Sequence, residues 1–171
     1  TPKRGEPNQE GPIDPVSLAL TLGCSFVART FSGDKEQLVP ILKAGLKHRG
    51  FAFVDVLSPC VTFNDHEGST KSYTFIRKSK REAVGTGFVP FQDEIATRYE
   101  PGSVQAVTMH DGTVVYLRKV DTSYDPTDRA AAYSYLSKRQ ELGELVTGLL
   151  YLQEDSADIH AREKTVAVPL R

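Results

Sequence analysis

Apolar positions fall along this chain in blocks whose period changes from one stretch to the next. VSLALTL, residues 16–22, follows Asp14-Pro15 and is largely apolar. A carboxylate at the N-cap with proline at the first helical position predicts a short buried helix there, closed at Gly23. CSFVAR, residues 24–29, is a short apolar run and predicts the first strand. Residues 31–34 form a loop. From Lys35 to about His48 the pattern becomes helical, with Leu38, Ile41, Leu42, Gly45 and Leu46 on one stripe. Lys43, Lys47, His48 and Arg49 crowd its last turns, where the helix dipole favours positive charge. Pro40 interrupts it by removing a hydrogen bond, and Gly50 ends it. FAFVDVL, residues 51–57, then predicts a second buried strand.

Strand, helix and strand at these lengths make a βαβ unit with parallel strands and a right-handed crossover. The fold class predicted is therefore α/β. Two parallel strands alone are not a stable core, so further neighbours are needed, and they are expected before Thr1. After Asn64 the pattern weakens into a polar, basic stretch in which Arg77, Lys78, Lys80 and Arg81 read as a solvated face. VQAVTMH and TVVYLRKV flank Asp111-Gly112 and predict a β-hairpin with a two-residue loop. DRAAAYSYLSKRQEL predicts a helix with Asp125-Pro126-Thr127-Asp128 at its start and Gly143 at its end. LVTGLLYL, residues 145–152, predicts a last strand.

The 171 residues suit one ordinary domain, and 39% apolar with 25% charged is a globular composition. A net charge of −1 gives no ground for a nucleic-acid or anionic-membrane partner. No apolar run approaches the roughly 20 residues of a membrane span. Two cysteines without framework spacing argue against a disulfide-stapled secreted module, so the cytoplasm is the expected compartment. The opening TPKRGEPNQEGPIDP is polar, rich in Pro and Gly, and reads as a linker, as if the chain began inside a larger one.

Several chemistries find no motif. There is no G-x-x-x-x-G-K-S/T phosphate loop, no G-x-G-x-x-G after a strand and no G-x-S-x-G elbow. His48, His66, His110 and His160 never pair at helical spacing, so no helical zinc site is encoded. Asp93-Glu94 and Glu154-Asp155 sit in polar contexts and read as solvated. Cys60 stands just past the second strand, after Ser58-Pro59. A thiol there serves as inert packing, a nucleophile or a metal ligand, and its neighbours do not decide among these. Cys24 begins a strand, where a small apolar side chain is expected.

The ordered series IDPVSLALTLGCSFVARTFSGD, residues 13–34, and KHRGFAFVDVLSPCVTFND, residues 47–65, resembles the β subunit of 2-oxoacid:ferredoxin oxidoreductases, above all the 2-oxoglutarate type. The later YDPTDRAAA and GELVTGLLYL match the C-terminal part of the longer subunits. The resemblance implies a β subunit that binds thiamine diphosphate with Mg2+ and carries a 4Fe–4S cluster. It implies an α or αγ partner subunit, ferredoxin as electron acceptor, and a 2-oxoacid and coenzyme A as substrates. It also implies that Cys60 is the fourth thiolate ligand of that cluster, with Pro59, Thr62, Phe63 and Asn64 around it.

The departures from the family pattern matter as much. The G-D-G motif for Mg2+ and diphosphate is absent, and so are the first three cluster cysteines. Residues 1–65 are accordingly expected to be the C-terminal part of a thiamine-diphosphate-binding α/β domain. Residues 66–171 are expected to be an extension with hairpin and helix that contacts other subunits. Alone, the chain is expected to be inactive and to hold neither cofactor. The competing reading is a non-catalytic α/β interaction module that uses the hairpin and the basic stretch for docking. A small cysteine-dependent redox protein is a third reading.

Overall fold

A computed structural model of the chain describes residues 13–58, 95–109 and 112–165. Five strands form one sheet: β1 (Phe26–Phe31), β2 (Ala52–Leu57), β3 (Val104–Thr108), β4 (Val114–Lys119) and β5 (Glu144–Leu152), in the order β2-β1-β5-β4-β3. β1 runs parallel to β2, with Phe26 beside Ala52 and Phe31 beside Leu57. The helix between them is α2 (Lys35–Lys47), so the predicted βαβ unit is present. β1 follows the predicted strand but lies two residues further on, because Cys24 and Ser25 still belong to the connection while Thr30 and Phe31 pair with Val56 and Leu57.

Within the chain, β1 finds a second neighbour at the far end of the sequence. β5 pairs antiparallel with β1, with a register shift at Val27/Ala28. β4, α3 (Arg129–Glu141) and β5 form a second βαβ unit, since β4 and β5 are parallel. The sheet is therefore mixed, and it takes strands from both sides of residue 65. The hairpin strands β3 and β4 are part of it. The hairpin ladder reaches Met109, whose N–H donates to Thr113 O at 2.8 Å, while His110 and Asp111 of the predicted loop lie outside the described residues. Gly112 takes φ +84°, the left-handed conformation such a loop needs.

Helices cover both faces. α1 (Pro15–Thr21) and α3 pack on one side, around Val16, Leu20, Val27, Leu136, Val146 and Leu150. α2 lies on the other, where Ile41 meets Phe26 and Ala28. A third cluster joins Phe31, Tyr99, Val107 and Leu117. Asp14 caps α1 as predicted, accepting from Ser17 N–H, while Asp34 and Asp128 accept from Gln37 and Ala131 N–H at the starts of α2 and α3. A short α4 (Ile159–Glu163), capped by Asp158, is an addition to the predicted elements. The stripe on α2 is only half used. Gly45 faces Phe26, Ala52 and Val54, but Leu42 is 40% and Leu46 87% exposed. β2 is the outermost strand on that side among the described residues. No helix among the described residues is long and apolar enough to cross a membrane.

Candidate functional site

The parallel strands β1 and β2 end together, and such an edge is where an α/β sheet presents its ligand-binding residues. Loop 32–34 organises it. Ser32 N–H donates to Leu57 O at 2.9 Å, and Thr97 N–H donates to Gly33 O at 3.0 Å. Leu57 and Thr97, which flank the stretch 59–94, are thus hydrogen-bonded to adjacent residues of one loop. Gly33 is packed so tightly that a Cβ there would lie 1.8 Å from Ile95 O. Cys60, Pro59, Thr62, Phe63 and Asn64 belong to that stretch and lie outside the described residues, as do His66, Asp93 and Glu94. What can be read is the frame beneath them.

On the α1 side of the edge, Arg29 sits 3% exposed in the middle of β1. Its Nε donates to Asp55 Oδ2 of β2 at 2.7 Å, and its Nη2 binds Asp14 Oδ1 at the start of α1. Burial raises the Asp14 carboxyl pKa, but the Ser17 hydroxyl and then Arg29 outweigh it, and the net shift is downward. Glu144 at the start of β5 is bound by Arg118, with Nη2–Oε1 at 3.2 Å, and approached by Arg139 at 3.6 Å. The hydrogen bond from Arg118 leads in holding its pKa below the usual range, against a smaller effect of burial. Arg29, Asp55 and Glu144 line a cavity of about 240 Å3 whose other walls include Leu57, Leu136 and Val146. With Asp14 and Glu144 held ionised, neither acts as a proton donor near neutral pH.

On the α2 side lies a buried polar group. Asp34, 1% exposed, caps α2 and binds Lys119 Nζ at 2.6 Å. Lys119 stacks over the Tyr99 ring at 4.4 Å. The Tyr99 hydroxyl meets Thr147 Oγ1 at 2.6 Å, and burial pushes its pKa up to about 12. Thr30 Oγ1 and Gln37 Oε1 have no hydrogen-bond partner among the described residues. Through Asp34, Lys119, Tyr99 and Thr147 this group ties the start of α2, β4, β5 and the segment before β3 together. Sequence reading passes over both clusters. The signal is available: Arg29 and Asp55 interrupt otherwise apolar strands, and charges inside such strands require partners.

The remaining candidates are structural in their geometry. Cys24 is buried, and burial raises its thiol pKa against smaller lowering effects of its own N–H and Arg129, so it stays protonated. His48 Nε2 meets Ser25 Oγ at 2.8 Å and Ser156 Oγ at 3.1 Å, joining the end of α2 to the segment after β5. His160 and the pair Glu154-Asp155 are exposed. No group of three His, Cys, Asp or Glu able to hold a metal occurs among the described residues. Two cysteines in the whole chain cannot supply four thiolates, so a cluster held by four cysteines needs ligands from elsewhere.

The frame described so far defines an α/β chain with helices on both faces of a mixed sheet and a strand-end edge built of paired charges. No protein-family model matches it. Comparison with individual proteins is decisive. The chain is 44% identical over 164 residues to the 2-oxoglutarate oxidoreductase subunit KorB of Mycobacterium tuberculosis, which covers 91% of this chain and 42% of that protein. It is 44% identical over 68 residues to the 2-oxoacid:ferredoxin oxidoreductase subunit beta of Saccharolobus solfataricus, 40% of this chain and 22% of that one. A solved 2-oxoglutarate:ferredoxin oxidoreductase from Magnetococcus marinus, bound to 2-oxoglutarate, coenzyme A and succinyl-CoA, shares the fold with a TM-score of 0.53 at 22% identity. The alignment covers 93% of this chain and 42% of that one. The chain belongs to the 2-oxoacid:ferredoxin oxidoreductase beta-subunit family and spans less than half the length of these relatives.

Proposed function

We propose that the chain is part of the β subunit of an oxidoreductase that decarboxylates 2-oxoglutarate oxidatively to succinyl-CoA and passes the electrons to ferredoxin. The observation that carries this reading is the 44% identity to the Mycobacterium tuberculosis subunit across 91% of the chain. The substrate follows that relative's name, and the cytoplasm follows from the two-cysteine composition. In this reading the complete enzyme holds thiamine diphosphate, Mg2+ and a 4Fe–4S cluster, and an α or αγ subunit completes the site for 2-oxoacid and coenzyme A. Cys60 supplies one thiolate, with Pro59, Thr62, Phe63 and Asn64 beside it. The other three thiolates and the diphosphate motif come from outside these 171 residues, because the chain contains neither. The described residues form the support: loop 32–34 fixes the end of β2, the strand that precedes Cys60 in the sequence, and the Arg29 and Asp34 clusters hold that edge in place.

The test is Cys60→Ala in the complete enzyme. Iron content and the low-temperature electron paramagnetic resonance of the reduced protein should show loss of the four-iron cluster, with ferredoxin reduction lost alongside. A variant with its full iron complement and normal ferredoxin reduction would sink the assignment.

A further inference from the structure

After β5 the chain turns back onto the end of α2. Gln153 N–H donates to Ser25 O at 2.7 Å, which fixes the turning point. Of the described side chains from Glu154 to Thr165, Ser156 and Asp158 are half-buried and the others are exposed. Those two are the ones that reach α2. Ser156 Oγ donates to Arg49 O and meets His48 Nε2 at 3.1 Å. Asp158 Oδ2 pairs with Arg49 Nη2 at 3.3 Å, but that arginine is 76% exposed, and exposed pairs contribute little. Attachment of the segment therefore centres on Ser156 and the His48 ring.

The same ring nitrogen lies 2.8 Å from Ser25 Oγ. A Cβ at Gly50, φ +139°, would stand 2.8 Å from Ser156 Oγ, 3.0 Å from His48 Nε2 and closer still to Ser25 Oγ, so three polar groups converge where only a glycine fits. Their protons can be counted. Phe51 O accepts from the N–H groups of Ser25 and Phe26 at 3.1 and 3.2 Å, which uses both its lone pairs. Phe51 N–H donates to Ser25 Oγ at 3.0 Å. The Ser25 hydroxyl proton, 3.3 Å from the occupied Phe51 O in oxygen separation, therefore goes to His48 Nε2. The network thus assigns the neutral ring the tautomer with its proton on Nδ1. A proton on Nε2 would reverse that bond and leave the Ser25 hydroxyl without a free acceptor.

The ring is covered by Phe26, 5.5 Å away between centroids, by Ser25 and by Ser156. Phe26 and Ser25 are buried in β1 and its approach, whereas Ser156 belongs to an exposed segment, so water reaches the ring by lifting Ser156. The charged groups around it are Lys47 and Arg49, which flank it in the chain, and Asp158, which faces Arg49. Asp158 stays ionised, since the Ala161 N–H first and Arg49 after it hold its carboxyl below the usual range against a smaller effect of burial.

We propose that residues 154–165 form a strap, hinged at Gln153, which uncharged His48 holds against the end of α2 and protonated His48 releases while the sheet stays folded. Burial lowers the His48 pKa from 6.5, in the direction the hydrogen bonds require. The closed strap is therefore fully favoured above pH 6.5 and is lost as pH falls through the lowered value.

Amide exchange, corrected for the intrinsic pH dependence of the chemistry, tests this on the whole chain. A helix as short as α4 does not persist once lifted, so Ala161 and Arg162, whose N–H groups donate to Asp158, report on the strap. Their protection should fall about threefold or more between about pH 7.5 and about pH 5.5, while the Gln153 N–H keeps its own. His48→Gln should abolish that pH dependence, and His160→Gln, within α4 itself, should leave it in place. Ser156→Ala should lower the protection at both pH values and bring the His48 pKa, followed by nuclear magnetic resonance, up toward 6.5. Protection that does not change with pH, a pH dependence that survives in His48→Gln or vanishes in His160→Gln, or exchange of Gln153 together with Ala161 would each overturn the proposal.

Discussion

Removing the Arg29 guanidinium leaves two carboxylates facing each other without their shared partner. The arginine is 4% exposed at its side chain, and Asp14 and Asp55 are 18% and 20% exposed. Breaking a buried pair from one side costs about 3 kcal/mol, so Arg29→Met should lower the urea midpoint accordingly at unchanged m-value. An unchanged midpoint would mean that the pairs add nothing to the edge. His48 gives a pH prediction. Burial lowers its pKa from the ordinary 6.5, so on acidification the unfolded chain takes up this proton before the folded one does. Its contribution is present above pH 6.5 and is lost as pH falls through the depressed folded value. The melting temperature should therefore drop on going below pH 6.5, and the drop should be smaller in His48→Gln. Single residues of this kind are poorly legible in the sequence. A run such as FVAR shows that a charge is buried, but its partners lie on α1 and β2 and only the fold brings them together.

Among elements, helices are easier to read than strand partners. Asp14-Pro15 and Asp128 fix two helix starts through local chemistry, which needs no distant information. A short apolar run, by contrast, states that a strand is buried without stating its neighbour or direction. For this reason β5 is legible as a strand but not as the antiparallel partner of β1. Loop 32–34 is the element on which the strand-end edge depends. Gly33→Ala would push a methyl group into Ile95 O, 1.8 Å away, and the backbone on both sides must then shift. A loss of about 2–3 kcal/mol is expected. Amide hydrogen exchange should localise the change, with protection falling at Thr97, which donates to Gly33 O, before it falls in β5. Uniform loss across the sheet would argue that the loop has no separate role.

For the whole molecule, the sheet order decides cooperativity. β1 is held by β2 on one side and by β5 on the other, so the first and last thirds of the chain share one sheet. Neither βαβ unit keeps its core without the other, since Val27 of the first packs with Leu136, Val146 and Leu150 of the second. The chain should unfold in one transition, with coincident curves from circular dichroism and from its seven tyrosines, there being no tryptophan. Two separated transitions would show that the parts before and after residue 65 fold independently. Composition and motif order carry the family assignment, whereas this interleaving of chain ends is not legible, because sheet order is a non-local property that no window of sequence encodes.

The two hydrogen bonds that loop 32–34 makes, to Leu57 O and from Thr97 N–H, also bear on how the protein tolerates change in evolution. They hold Leu57 and Thr97, which flank the stretch 59–94, to one loop, whatever lies between. Once the ends of a connection are fixed together, doubling its length costs only about 0.6 kcal/mol of closure entropy. Insertions and deletions within that stretch are thereby uncoupled from the sheet. Lineages are free to lengthen, shorten or rewrite it while the five strands keep their register, and length variation among relatives should concentrate there.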